Sequence, residues 1–456
     1  MNETTEINTA DESLHLARLG DHDAHSLVEA PTVVIIGPPW PRSGAAWVIK
    51  NQIDYYCARG FNTVLVIVPF HRWFMGTNPV WQEVIEGFQE MGARGLFVAP
   101  LEERRYKAAK YTTSIFHAFR GTILDWEFAT AKSAEAPEGI GRFFHYAPPA
   151  LFHVNYVQAL GFATRLRRKL AGWRSRIPII LETHDIQSQL LQERCELNPW
   201  TRKPDQFKRM IRSEISLLKK ADVLVHLSVD DHRFFQIQLP GKPHILAMPA
   251  IDEVFTAAVK TAPPFKDAID ILFVGQNHAP NLAALQWFFA EVWPLLAEKK
   301  YNLKIVGPVD LLVKEKLPQL YESFHSCFVG RVADLARYYS SARCVIAPMI
   351  SGSGTSIKTI EALALGKPFI GTSKAFRGMP FARINAAGIR SHDSPRDFAD
   401  AVVMVLADEG RFAVQSRHVY EQIFSIQANF ASRDEAVAAA RCAKRTKPGT
   451  NPLPAS

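Results

Sequence analysis

The stretch APMISGSGTSIKTIEALALGKPFIGTS, residues 347–373, decides how this chain is read. CVIAPMI (344–350) is a short β-branched run of the kind that forms a strand covered on both faces. It runs into Ser351-Gly352-Ser353-Gly354 and then into a helix, TSIKTIEALALG (355–366), closed by Gly366. PFIGTS (368–373) is the next strand, so the segment is one βαβ unit with a right-handed crossover. Glycines at such a junction let backbone N–H groups approach a ligand with no Cβ in the way. The free N–H groups and the positive dipole end of the helix favour an anion, most often phosphate. Lys358 adds a full positive charge in the first turn, and Glu361, one turn later, offers a carboxylate that can accept two hydrogen bonds from a vicinal diol such as ribose. Ile357, Ile360 and Ala364 form the apolar stripe that packs this helix on its sheet.

The local pattern admits three readings. As a Walker-type phosphate loop, GSGTSIKT has Gly352, Lys358 and Thr359 in place but Ile357 where a glycine belongs. As a dinucleotide fingerprint, Gly352-x-Gly354 lacks its third glycine at the same position. In the third reading the glycines only turn the chain, and Lys358–Glu361 is a surface i,i+3 pair worth a few tenths of a kcal/mol.

The same alternation continues outward. DILFVG (270–275), LKIVGP (303–308) and FHSCFVG (324–330) read as strands, NLAALQWFFAEVWPLLAEKK (281–300) as a helix with Asn281 as N-cap, and SPRDFADAVVMVLADEG (394–410) as another helix. Towards the N-terminus, TVVIIG (32–37), TVLVIVPF (63–70), GLFVAP (95–100), IPIILETH (177–184) and ADVLVHLS (221–228) are strands; residues 101–150 read as helices. Regular β–α alternation predicts open parallel sheets with helices on both faces. The expected organisation is a flexible acidic arm (1–30), a Rossmann-like N-terminal domain (31–250), a linker (251–268) and a Rossmann-like C-terminal domain (269–410). A helix (411–441) and a disordered tail (442–456) follow. The fold class is thus α/β, two Rossmann-like domains whose parallel sheets face an interdomain cleft, and the loops after the strands are where ligands bind.

The 456 residues carry 53 Lys+Arg against 45 Asp+Glu, a net charge of +8. Residues 1–30 are net −6 and residues 31–250 net +9, with Arg165, Arg167, Arg168, Lys169, Arg174 and Arg176 close together. Such a cluster is either a solvated helix face or a surface for an anionic partner. No apolar run reaches the roughly 18 residues of a membrane span. The start has no secretory pattern, and five scattered cysteines predict reduced, buried thiols in a cytosolic protein. Asp21-His22-Asp23 is discounted as a metal site because it lies outside any core. There is no H-E-x-x-H, no G-x-S-x-G and no Cys/His cluster at metal spacing. His145, His153 and His226 sit in apolar contexts and read as structural.

Together, ILFVGQNHAPNLAALQWFFAEVWPLL, FVGRVADLARYYSSARCVIAP and ISGSGTSIKTIEALALGKPFIGTS closely resemble the C-terminal domain of family 4 (group 1) glycosyltransferases over about residues 270–410. The Pro/Gly loop at 38–44, LETHD and ADVLVHLS resemble that family's N-terminal half. The resemblance implies the GT-B fold, with a nucleotide-sugar bound by the C-terminal domain, an acceptor by the N-terminal one, and a last helix crossing back. It implies that Glu361, as the second glutamate of E-x7-E, holds the ribose, that Gly275 and Gly352 belong to the donor site, and that Gly354 and Thr355 give N–H groups to the diphosphate. His184 would face the transferred sugar, while Ser43 and Gly44 would lie near donor phosphate and acceptor. Ser353 stands at the first glutamate's place, and Gln276, Asn277 and His278 follow Gly275 where the family has Arg and Lys. Lys358, then Arg331 and Arg377, are the candidates to supply that charge for the leaving diphosphate.

The resulting expectation is a transferase moving a sugar from a nucleoside diphosphate-sugar to a hydroxyl of a glycan or lipid-linked saccharide, with retention and no metal or other cofactor. It would act in polysaccharide biosynthesis in the cytoplasm, peripherally on an anionic membrane through 165–176, without nucleic acid. An epimerase of the same fold, a non-catalytic nucleotide-sugar binder and a nucleoside triphosphatase are the alternatives.

Overall fold

The computed structural model describes residues 30–41, 43–71, 80–120, 126–171, 177–197, 205–352 and 354–445. The acidic arm up to residue 29 with Asp21-His22-Asp23, the tail from 446, Arg174, Arg176 and Ser353 lie outside the described residues. The chain forms two units. One comprises residues up to His226, Asp231–Leu246 and Ser432 onward; the other comprises Leu227–Asp230 and Ala247–Ala431.

The N-terminal unit is a seven-stranded sheet of order β3-β2-β1-β4-β5-β6-β7. Its strands are β1 (Thr32–Gly37), β2 (Asn62–Ile67), β3 (Gly95–Val98), β4 (Pro149–Asn155), β5 (Ile179–Thr183), β6 (Val223–His226) and β7 (His244–Leu246). All pairings are parallel. Val33–Ile36 and Val64–Val66 are fully buried, as expected of strands covered on both faces. Two strands differ from the sequence expectation. PALFHVN forms β4 between β1 and β5, beginning at the end of the region 101–150 read as helices and continuing through residues read as no strand, and β7 adds an edge strand.

The C-terminal unit is a five-stranded parallel sheet of order β10-β9-β8-β11-β12. Its strands are β8 (Ile269–Val274), β9 (Leu303–Val306), β10 (Phe328–Gly330), β11 (Ala342–Ala347) and β12 (Phe369–Gly371). The helix expected from Asn281 starts earlier, at Ala279, with His278 as N-cap and proline in the first turn, where its missing N–H costs nothing. That helix widens into a π-turn over Phe288–Val292 just before Pro294, whose ring cannot sit in a regular α-turn. The predicted linker holds a helix, Glu253–Thr261, because the Asp252 side chain accepts from Val254 N at 2.8 Å and caps it. The C-terminal helix is two, Glu409–Ile423 and Ile426–Arg445. Cys344 is buried, but Cys57 and Cys442 are exposed, and so is His145. Among the described residues no helix is long and apolar enough to cross a membrane.

The N-terminal core encloses charge. Glu182 on β5 is fully buried, and Arg433, 2% exposed, donates to its two oxygens at 2.9 and 3.1 Å. His153 Nε2 on β4 meets the same carboxylate at 2.7 Å, and Tyr56 Oη sits 2.8 Å from His153 Nδ1. Burial works against the Glu182 charge, but Arg433 and His153 hold its carboxyl well below the usual range. Removing one partner of such a pair strands the other's charge in the core. Arg433→Met should therefore cost the N-terminal unit about 3–5 kcal/mol in urea unfolding. Adding Glu182→Gln should recover a large part. An unchanged urea midpoint for Arg433→Met would show that the pair supports nothing.

Candidate functional site

In the C-terminal unit the loop after β11 brings most of the predicted donor residues together. Gly352 and Gly354 adopt φ of +117° and +64°, a region that L side chains rarely enter. A Cβ on Gly352 would come within 3.4 Å of the Arg377 guanidinium carbon, so that side chain lies directly against the glycine loop. The helix Ile357–Ala364 follows, and Ser356 gives it no side-chain cap. The Thr355 hydroxyl is committed to Leu227 O at 2.7 Å, which leaves its backbone as the part available to a ligand. Gly275 donates its N–H to Val306 O within the sheet and packs against Gly307, where a Cβ would stand 2.3 Å from Gly275 O. What Gly275 contributes is room.

Lys358 and Glu361 are not a surface pair. Lys358 Nζ donates to Asn281 Oδ1 at 2.5 Å and lies 4.6 Å from the centre of the Phe273 ring. Asn281 is fixed in turn by donating to Gln276 O at 2.8 Å. Burial, and then the Arg377 charge, push the Lys358 ammonium down to about 7, with Glu361 opposing. His278 is also shifted down, by burial and then by Lys358. Glu361 Oε2 accepts from the fully buried Tyr339 hydroxyl at 2.9 Å, which anchors one oxygen and orients the carboxylate. Two cations are therefore gathered at a glycine loop with one carboxylate beside them, an arrangement that an anion would relieve. Arg331 stands exposed after β10.

His184, Ser43 and Gly44 belong to the N-terminal unit. Ser43 precedes the helix Gly44–Ala58, and its hydroxyl turns back to Trp40 O at 2.9 Å. Trp40 packs edge-on against Tyr156, whose ring stacks on His184 at 3.9 Å and 8°. The loop that carries Trp40 and Ser43 is thus joined to the histidine by two aromatic rings of the same unit. Tyr156 holds φ +66°, a strained value for a residue with a Cβ, costing about 1–3 kcal/mol. Behind the following helix, buried Glu214 accepts from Gln187 N at 2.8 Å and Ser188 N at 3.1 Å, which satisfies that helix's N-terminus.

A chain of buried amides sets the histidine's protonation. Asn155 Nδ2 donates to Ile36 O at 3.2 Å and Gln52 Oε1 at 2.9 Å, so its Oδ1 is the atom 2.9 Å from His184 Nε2. Gln52 Nε2 donates to that same Oδ1 at 2.8 Å and to Glu182 Oε2 at 2.5 Å. Since Oδ1 only accepts, Nε2 carries the proton and Nδ1 keeps its lone pair. Burial pushes the ring down to about 4. Asn155, Gln52, Glu182, Tyr156 and Arg433 were missed by sequence reasoning, as were Asn281 and Tyr339. The one available signal was a run of polar residues inside an apolar segment, His153 and Asn155 in LFHVN.

Side-chain ¹⁵N shifts of His184 should report a neutral Nε2–H ring from pH 8 down to near pH 4. An imidazolium at pH 6, or the Nδ1–H tautomer, would contradict the amide relay.

Residues 268–408 match the family described as glycosyl transferases group 1. No curated protein matches the sequence. Among solved structures the chain resembles sucrose-phosphate synthase from Thermosynechococcus elongatus at a TM-score of 0.60 and 15% identity, covering 91% of this chain and 100% of that one. It also resembles Anabaena HepE in complex with UDP, at 0.57 and 12%, covering 90% and 100%. A Listeria monocytogenes protein described as a UDP-N-acetylglucosamine 2-epimerase matches at 0.50 and 12%, covering 93% and 100%. At these identities the likeness is one of fold. Two parallel sheets in the GT-B architecture, with a match to the group 1 glycosyl transferases over residues 268–408 of the C-terminal unit, are what the chain shares with these proteins.

Proposed function

We propose that this protein transfers a sugar from a nucleoside diphosphate-sugar to an acceptor hydroxyl on a glycan or lipid-linked saccharide, with retention of configuration, in polysaccharide biosynthesis. The observation that carries the reading is the gathering of Lys358, Arg377 and Glu361 at the Gly352–Gly354 loop. Glu361 holds the ribose diol through the oxygen that Tyr339 leaves available, and the glycine-loop amides face the diphosphate. As the bond from the sugar's anomeric carbon to the diphosphate oxygen breaks, charge grows on that oxygen. Lys358 and Arg377 offset it in place of the family's missing Arg and Lys, and no metal cofactor is required. His184, with its lone pair on Nδ1, accepts a hydrogen bond from a sugar or acceptor hydroxyl. The basic helix Leu160–Ala171 rests on an anionic membrane surface on the cytoplasmic side, with Arg167, Arg168 and Lys169 as contacts.

Epimerisation is the second reading, supported by the description of the Listeria neighbour, and it needs a carboxylate that can give and take a proton. Of the buried carboxylates near His184, Glu182 is pinned by Arg433, His153 and Gln52, and Glu214 by two backbone amides. Glu182 cannot shuttle a proton without breaking that support, which favours transfer; Glu214, pushed up to about 7 by burial, is the carboxylate of the two that an epimerase would use.

Glu361→Ala should abolish the rise in melting temperature that a nucleoside diphosphate-sugar produces, whereas His184→Ala should keep that rise and lose transfer. If no uridine, guanosine or adenosine diphosphate species stabilises the parent protein, the donor-site reading fails.

Lys358 gives a second test through linkage. Free, with its ammonium near 7, it is mostly neutral at pH 8; a bound diphosphate raises that value, so binding takes up a proton. Affinity should fall between pH 7 and 9. Binding enthalpies at pH 8 should vary with buffer ionisation heat in the parent and not in Lys358→Met. Equal enthalpies in all buffers for the parent would remove Lys358 from the diphosphate.

A further inference from the structure

Three helices of the N-terminal unit, Glu103–Arg120, Trp126–Ser133 and Leu160–Ala171, border a cavity of about 630 Å³. That volume lies within the roughly 300–1,000 Å³ of small-ligand sites. Five cations line it, Arg105, Lys132, Arg165, Arg168 and Lys169, against the single carboxylate of Glu135. Glu135 is already paired with Arg105. Arg165 is held in place by donating to Ala134 O at 2.9 Å, so its guanidinium is a fixed part of the wall. Phe162 and Leu166, almost fully buried, form an apolar floor.

On a convex helix face each cation would hydrate separately and the cluster would need no explanation. Here they line one concavity, where their fields add. At Arg165 and at neighbouring Lys220 the other cations add to burial. Burial, then Arg168 and Arg105, shift the Arg165 guanidinium down, and burial, then Lys132 and Arg168, do the same to neighbouring Lys220. A multiply charged anion would relieve this, and arginine forks suit phosphate oxygens.

We propose that this cavity binds a phosphate-bearing ligand, the cations taking the phosphate and the Phe162–Leu166 floor an uncharged portion attached to it. The site lies wholly within the N-terminal unit and shares no residue with the donor loop, so it stands whether or not the chain transfers a sugar. Its phosphate can come from a lipid headgroup or from a soluble phosphate ester.

The test uses the full chain in a Lys358→Ala background, so that the donor loop does not compete for the probe. Inorganic pyrophosphate binding is measured by titration calorimetry. Lys132→Glu with Lys169→Glu, both exposed side chains, should weaken it at least about tenfold. The same charge change at Lys314→Glu with Lys316→Glu, on the helix Val309–Lys316, should leave it unchanged. A parallel arm measures co-sedimentation with phosphatidylcholine vesicles containing phosphatidic acid. Loss of both vesicle and pyrophosphate binding in the Lys132/Lys169 double variant supports the site with a lipid headgroup as its source, whereas loss of vesicle binding alone reports the membrane contact of the helix Leu160–Ala171 and overturns the cavity. Loss of pyrophosphate binding alone supports it with a soluble phosphate. The proposal is overturned if neither probe binds the parent, if both bind the double variant as well, or if the Lys314/Lys316 control loses binding equally. Nucleotide-sugar stabilisation, measured with Lys358 intact, reports separately on the donor loop.

Discussion

The N-terminal unit is organised around a carboxylate that has no access to water. Glu182 sits within β5, and its ionised state depends on Arg433, more than two hundred residues later in the chain, reaching it from the last helix. Replacing such a pair by apolar residues of the same size is often neutral or stabilising, so the pair is poorly explained as a source of stability. What it does supply is direction. With Arg433 and His153 on the carboxylate, the remaining bond goes to Gln52, Gln52 can pair with Asn155 in one orientation only, and Asn155 then faces His184 with an acceptor. The protonation of the candidate site ring is thereby decided by an ion pair that does not touch it.

The two units meet the cost of their sites in the same way. Tyr156 holds a positive φ so that its ring can lie flat on His184, and Lys358 gives up hydration to lie over Phe273 beside Arg377. Neither arrangement is favourable locally. Each is kept by surrounding groups that are individually satisfied: Trp40 and Asn155 around the first, Asn281 and Tyr339 around the second. Local cost sustained by a rigid surround is characteristic of places prepared for a ligand.

The five strands of the C-terminal sheet were legible because each is a short apolar run punctuated by glycine or proline, followed by helical periodicity. The N-terminal sheet was less so. β4 carries His153 and Asn155, and those polar residues broke the apolar run that would have marked it as a buried strand. The features that hid the strand are the ones that build the relay to His184. Asn281 misled in a related way: its side chain looks like a cap, yet Pro280 favours an earlier start and frees that side chain for Lys358.

By itself, the sequence determined what depends on neighbours along the chain: the β–α alternation, the glycine loop between strand and helix, and the placing of Lys358 and Glu361 one turn apart on the helix that follows. Only the tertiary structure decided what depends on residues far apart in the chain. It turned an apparent surface pair into an anchored carboxylate and a desolvated amine, set Arg377 against Gly352, and drew Arg433 to Glu182. The physical reason is that backbone preference is a local property. Burial, charge pairing and hydrogen-bond direction belong to the packed whole, and no window of sequence contains both partners.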